Sequence, residues 1–233
     1  MLTVKFGTIK ECKNEKYSFS HPAYAFPFEE NPIFPSNLNL KNVLTIASGG
    51  GIPMLMLLEK GASRVDVVDI SFDAVFLAFL RLCAASLKKH KEFSEFLISR
   101  GEDGRILSEL YKNFPDQFKI LSPYGIHPYF VIRDTIFPSG RIPDFYLREF
   151  DLPSEAEITF IVSDISEIKS GNYTTIFLSN VLSYAIGTMH DFISTINNHA
   201  SVLYTIADQP GTFLLQGREF KERFLPYTKP KHF

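Results

Sequence analysis

The sequence predicts an α/β protein built on a doubly wound, mostly parallel sheet with helices on both faces. Three observations carry that expectation. Short apolar runs of strand character alternate with longer helical runs, which is how βαβ units read. The first such run passes through three consecutive glycines, Gly49 to Gly51, directly into a helix pattern. The next run ends in an acid, Asp69, about 20 residues after the glycine turn begins, the spacing of a nucleotide-binding βαβ unit.

Residues 1–41 are polar and broken by Pro22, Pro27, Pro32 and Pro35, with aromatic residues between them. Prolines interrupt long regular elements, so an arm that wraps the surface or covers a site is expected here. "KNVLTIA" reads as a buried strand and "IPMLMLLEKGA" as a helix with Pro53 in its first turn and Gly61 at its stop. "RVDVVDI" is the next strand. "SFDAVFLAFLRLCAASLKKH" is a strong helix with basic residues in its last turn, and Cys83 within it reads as a buried thiol.

From about 89 to 157 the alternation weakens. Two helical pieces, "EFSEFLISRGEDGRILSELYKNF", are followed by loops and short strands, so this stretch is expected to be an insertion that caps the sheet. The alternation resumes with strands in "ITFIVSDI" and "YTTIFLSNVL", a helix in "TMHDFISTINNHA" and a strand in "SVLYTIAD". A closing "GTFLLQG" is expected at a sheet edge. One domain with an N-terminal arm at 1–41 and a cap at about 89–157 accounts for all 233 residues.

Composition narrows the class. Hydrophobic residues make up 45% and charged residues 21%, enough to build a core, and 23 Phe with 10 Tyr make that core rich in rings. A net charge of −2 gives no positive field to recruit nucleic acid, so no nucleic-acid partner is expected. Two cysteines make neither a disulfide framework nor a metal cluster, and no HExxH or paired Cys-x-x-Cys is present, so no metal is expected. No apolar run reaches the ~18 residues that span a bilayer, and no charged head followed by an apolar run opens the chain. A cytoplasmic protein without a transmembrane segment is expected.

In doubly wound sheets, ligands bind beyond the carboxyl ends of the strands, where the strand order reverses. Four strand ends therefore form one candidate site. Ala47, Ser48, Gly49, Gly50 and Gly51 end the first strand with small residues that let a ligand approach the backbone. Asp69, followed by Ile70, ends the second, and a carboxylate there accepts hydrogen bonds from ribose hydroxyls. Asp164 and Ile165 end the third, where an Asp can accept from an exocyclic adenine amine. Ser179 and Asn180 end the fourth, facing the reacting end of the ligand. Each has a plainer reading: the glycines as a tight turn, Asp69 and Asp164 as helix caps, Asn180 as a loop contact. Their conjunction points to an adenosine-type ligand. The turn reads S-G-G-G-I-P rather than G-x-G-x-x-G, whose third glycine would fall at Met54, so the fit to a dinucleotide is poor.

Val43 to Gly51 resembles the first motif, V-L-D-L-G-C-G-x-G, of S-adenosylmethionine-dependent enzymes of the Rossmann-like methyltransferase superfamily, with Thr45 and Ala47 in place of its acid and first glycine. "LTIASGG", "VVDIS" and "LSNVLSY" are similar to a narrower family, the diacylglycerol 3-amino-3-carboxypropyltransferases of betaine-lipid synthesis. That family reads L-x-I-x-S-G-G-D, V-D-x-N-x-x-Q, L-x-L-K and S-N-[IV]. Here Ser48-Gly49-Gly50, Asp69 and Ser179-Asn180-Val181 fit, while Gly51, Ser71, Ala74 and Arg81 replace the Asp, Asn, Gln and Lys. The resemblance implies a class I methyltransferase type of sheet and S-adenosyl-L-methionine as cofactor. It implies transfer of a 3-amino-3-carboxypropyl group to a small or lipid-like acceptor, with methyl transfer and a non-catalytic nucleoside-binding protein as alternatives.

The acceptor's proton needs a base. Tyr184, His190 and Asp191 beyond the fourth strand are candidates, as are Tyr124, His127, Tyr129, Arg133 and Asp134 in the insertion. Tyr184, His127 and His190 are the leading three. "PYGIHPYFVIRD" reads equally as a substrate cap or as a packed loop.

Overall fold

The computed structural model describes residues 2–9, 25–26, 34–100, 104–121, 131–132, 135, 137, 142, 144–206 and 209–229. Seven strands form one sheet: β1 (Leu2–Ile9), β2 (Val43–Ile46), β3 (Arg64–Asp69), β4 (Ala156–Val162), β5 (Thr175–Phe177), β6 (Ser201–Ile206) and β7 (Gln209–Gln216). Their order is β1-β4-β3-β2-β5-β6-β7, and all neighbours are parallel except β6 and β7. This mostly parallel sheet, flanked by helices, is compatible with a Rossmann-like fold.

Alternation along each strand divides the core in two. Val43 on β2 and Ala47 just past its end, Val65 and Val67 on β3, and Ile158 and Phe160 on β4 face a first core. Helices α1 (Ile52–Glu59) and α2 (Phe72–Ser86) cover it. Leu44, Ile46, Val68, Ile176 and Val202 face a second core, closed by α7 (His190–Thr195) and α8 (Gly217–Phe224) after the short α6 (Leu182–Ala185). The connections change face between β2 and β5, which makes the carboxyl ends of those two central strands the topological switch point.

Local chemistry explains the leading elements. Pro53 stands in the first turn of α1, where its missing N–H costs nothing, and Gly61 leaves the helix at φ 93°, its N–H donating to the Leu58 carbonyl. The Ser71 hydroxyl caps α2 by accepting from the Ala74 N–H at 3.2 Å.

Several boundaries differ from the sequence reading. The proline-rich arm begins with a full edge strand: Leu2, Val4 and Phe6 pack on the first core, while Thr3 and Lys5 face outward, and β1 pairs with β4 from Leu2↔Ala156 to Phe6↔Phe160. Helix α2 stops at Ser86 and Lys88 turns the chain at φ 56°, so the basic residues fall beyond the last turn. Strand β5 spans three residues and α7 only six, both shorter than the patterns suggest. Cys83 is buried in α2, and burial pushes its thiol up.

The described part of the insertion is a helical layer beside α2. It comprises α3 (His90–Ile98), α4 (Arg105–Asn113) and α5 (Pro115–Leu121). Phe93, Leu97, Ile106, Leu110 and Phe118 join the first core. Phe118 meets Phe79 edge-on at 5.5 Å, and Phe79 in turn meets Phe160 of β4 and Phe6 of β1. The added strand β1 widens the sheet, and its Phe6 packs on Phe79 of α2. The stretch 122–130, which holds Tyr124, His127 and Tyr129, lies outside the described residues, as do Arg133 and Asp134.

Candidate functional site

Strand register brings the four strand ends to one level. Ile46 pairs with Val68, Asp69 with Val162 and Thr45 with Phe177. The pairing continues past the strands through Ala47 N–H to the Val68 carbonyl and Ser163 N–H to the Asp69 carbonyl, each 3.0 Å. Three strand spacings of ~4.8 Å separate β4 from β5, so the edge from Asp164 to Asn180 spans roughly 14 Å, room for a nucleoside with an extended arm.

The glycine turn is left-handed throughout. Gly49, Gly50 and Gly51 have φ values of 53°, 60° and 85°, a run that a Cβ would make costly at every step. Two of the three are also needed for packing. A Cβ on Gly51 would lie 2.6 Å from the Ala78 Cβ, and one on Gly50 would lie 2.9 Å from the Leu77 Cδ2. Gly50 and Gly51 therefore let α2 approach the turn, a role that close approach by a ligand does not require.

Across the switch point the Ser179 hydroxyl donates to the Ser48 hydroxyl at 3.1 Å, tying the ends of β2 and β5 together. Ser179 is buried and holds φ 49°, a conformation uncommon outside glycine. Asn180 follows, half-buried; its carbonyl accepts from the Ser183 N–H, and its side-chain amide has no partner among the described residues.

The two acids share one pattern. Asp69 Oδ1 accepts from the Ser71 N–H at 2.9 Å, and Asp164 Oδ1 accepts from the Ser166 N–H at 2.8 Å. Both residues are half-buried; the Ile70 backbone also bonds the Asp69 carboxyl, and no described side chain donates to either acid. Asp69 does not cap α2, since Ser71 does, whereas Asp164 caps the short turn Ile165–Glu167. The Asp69 carboxyl is packed closely by protein although solvent reaches part of it. Burial outweighs the bonds from the Ser71 and Ile70 backbone and pushes it up to about 6. Ile70 is half-buried beside it, whereas Ile165 belongs to the second core with Ile46 and Val68.

Of the candidate bases, His190 opens α7, half-buried, with its Nδ1 2.8 Å from the Thr228 hydroxyl. That pairing docks the C-terminal segment on α7, and His190 makes no hydrogen bond to the four strand ends. Asp191 lies beside it in the first turn of α7. The side chain of Tyr184, within α6, lies outside the described residues, as does His127.

In the sequence Arg81 stands only as the replacement for a motif lysine, with no role assigned to it. It is fully buried in α2, and its Nε–H donates to the Gly50 carbonyl at 2.9 Å, directly behind the glycine turn. The signal was present: a lone arginine inside "FLAFLRLCAASL" must carry its charge into the core. His90 was passed over. It is buried against Arg81, its pKa is lowered to about 3 by burial and then by that guanidinium, and it is neutral.

Comparison with protein-family models, curated proteins and solved structures finds no match.

Proposed function

We propose that the chain is an S-adenosylmethionine-dependent transferase that moves a 3-amino-3-carboxypropyl group to a small or lipid-like acceptor, on a sheet of class I methyltransferase type. One observation carries this reading. Around the switch point, the ends of β4, β3 and β5 present polar groups to which no described side chain bonds: the carboxyls of Asp164 and Asp69 and the amide of Asn180. A carboxylate at the end of β3 suits a ribose hydroxyl, and one at the end of β4 suits an adenine amine. The Ser48–Gly51 turn and Asn180 then flank the arm that extends from the nucleoside.

The cofactor supplies a sulfonium with three electrophilic carbons, and the carbon that reacts is set by which one faces the acceptor. The chain's part is positioning. Asp69 fixes the ribose, Asp164 the base, and Ser48 and Ser179 brace the two central strand ends against each other. Thr45 and Ala47 replace the acid and glycine of the commoner motif nearest the arm, which favours a different placement of that arm and so a different reacting carbon.

Product analysis after incubation with S-adenosylmethionine and an acceptor panel that includes diacylglycerol tests the reading. 5′-Methylthioadenosine is the expected by-product. S-adenosylhomocysteine would reassign the reaction to methyl transfer. Binding with neither by-product would leave a nucleoside-binding protein, and no binding at all would overturn the proposal.

A further inference from the structure

Arg81 has an unusual set of partners. One helical turn beyond Leu77 and Ala78, which pack on Gly50 and Gly51, its guanidinium lies fully buried behind the turn. Nε donates to the Gly50 carbonyl at 2.9 Å, and Nη2 to the Ala25 carbonyl of the N-terminal arm at 2.5 Å. Nη1 bonds the Ser94 hydroxyl at 3.2 Å and His90 Nε2 at 2.9 Å. A guanidinium only donates, so His90 Nε2 accepts; the proton of its ring is on Nδ1, which donates to the Arg148 carbonyl at 2.7 Å. The Phe26 and Phe93 rings lie 5.0 and 5.9 Å from the guanidinium carbon.

No carboxylate bonds this cation among the described residues. Burying an unpaired guanidinium is expensive, and desolvation alone lowers its pKa to about 9. A leucine or methionine would fill the same helix position without that cost. What an apolar residue cannot do is hydrogen-bond two carbonyls at once, one in the left-handed turn and one in the arm. The two segments also touch: a Cβ on Gly50 would lie 3.3 Å from the Ala25 carbonyl oxygen. Ala25 and Phe26 are completely buried, so this part of the arm is a plug behind the turn rather than a cover over it.

We propose that Arg81 is the positioning residue of the ligand edge, a buried latch that holds the N-terminal arm at Ala25 and the glycine turn at Gly50 as one unit. The turn keeps its left-handed shape while the arm is docked, and the arm stays docked while the turn is formed. Lysine does not substitute, because a single ammonium lacks the fork that reaches carbonyls on both segments together with Ser94 and His90. Influence on ligand affinity rests on the nucleoside site proposed above, whereas the coupling of arm to turn does not.

Native-state hydrogen exchange read by mass spectrometry, in urea below the unfolding transition, tests the coupling on the unaltered protein. Peptides covering Ala25–Phe26 and Gly49–Gly51 are expected to open together with one urea dependence. Separate dependences would overturn the latch. In Arg81→Lys, both peptides are expected to exchange at least tenfold faster while β6 and α8 keep their protection. A change in only one of the two peptides, or in neither, would contradict it. Affinity for S-adenosylmethionine is expected to fall at least tenfold in the same variant. If the unaltered protein binds none, the transferase reading falls, and the exchange result still decides the latch.

Discussion

Asp66, in the middle of β3, points into the second core, whereas Asp69, at the carboxyl end of the same strand, stands at the ligand edge. Asp66 is buried; one oxygen accepts from the Tyr173 hydroxyl at 2.8 Å, the other has no hydrogen bond, and the Arg64 Nε lies 3.9 Å away. Asp69 is reached by solvent, and its carboxyl is met by backbone at Ser71 and Ile70 and by no described side chain. Both carboxyls pay for partial or complete burial, but only Asp69 lies where the sheet leaves room for something other than protein. Position relative to the strand end separates a structural acid from a candidate binding acid. Sequence alone shows "RVDVVD" with two acids of equal standing.

The largest expected effect is a gain in stability on removing the Asp69 charge. Its carboxyl stands at about 6 in the folded protein against an ordinary 3.8. Between those values the folded state binds the extra proton, so stability falls as pH rises through that window and stays low above it. At about 1.36 kcal/mol per pH unit, the difference is worth roughly 3 kcal/mol. Asp69→Asn keeps the acceptor for the Ser71 N–H, so it is expected to stabilise the protein by up to about 3 kcal/mol near pH 8 and hardly at all near pH 4. Urea unfolding at the two pH values checks this.

Asp66 should behave in the opposite way. Tyr173→Phe removes the one hydroxyl that serves a buried carboxylate and is expected to cost about 1.5–3 kcal/mol in urea unfolding, with ligand affinity unchanged. Replacing both partners, as Asp66→Val with Tyr173→Phe, should recover much of that loss, because no polar group is then left stranded. A similar loss of ligand affinity in Tyr173→Phe would erase the distinction between the two acids.

Much of this was legible in the sequence. The alternation of elements, the central parallel pair β2 and β3, and the edge position of β7 follow from apolar patterning and turn residues. The strand ends carrying Ser48, Asp69, Asp164 and Ser179 do come to one edge. What was not legible depends on partners distant in sequence. Strand β1 shows period-two alternation at Leu2, Val4 and Phe6, but eight residues ahead of a proline-rich stretch give no hint of pairing with Ala156–Phe160. The packing role of Gly50 and Gly51 depends on Leu77 and Ala78, and the burial of Arg81 depends on Ala25 and His90.

A smaller effect concerns pH and the ligand. If the ionised Asp69 accepts from ribose hydroxyls, affinity for S-adenosylmethionine should fall about tenfold between pH 7.5 and pH 5 as the carboxyl takes up its proton. Calorimetry across that range reads it, and Asp69→Asn should show no such dependence. Of similar size, and confined to stability, is Gly61→Ala, at the opposite end of the sheet from the site. Gly61 has φ 93° with open space around it, so the backbone alone resists a side chain, at about 1–2 kcal/mol, without effect on the ligand.

The most direct measurement is a calorimetric titration of S-adenosylmethionine into the unaltered protein and into Asp69→Asn, with thermal unfolding recorded on the same samples. The unaltered protein is expected to bind. The variant should melt higher at neutral pH yet bind about tenfold to a hundredfold more weakly, the loss of a hydrogen bond to a charged group. Equal affinity in the two proteins would contradict the assignment of Asp69 to the ligand edge.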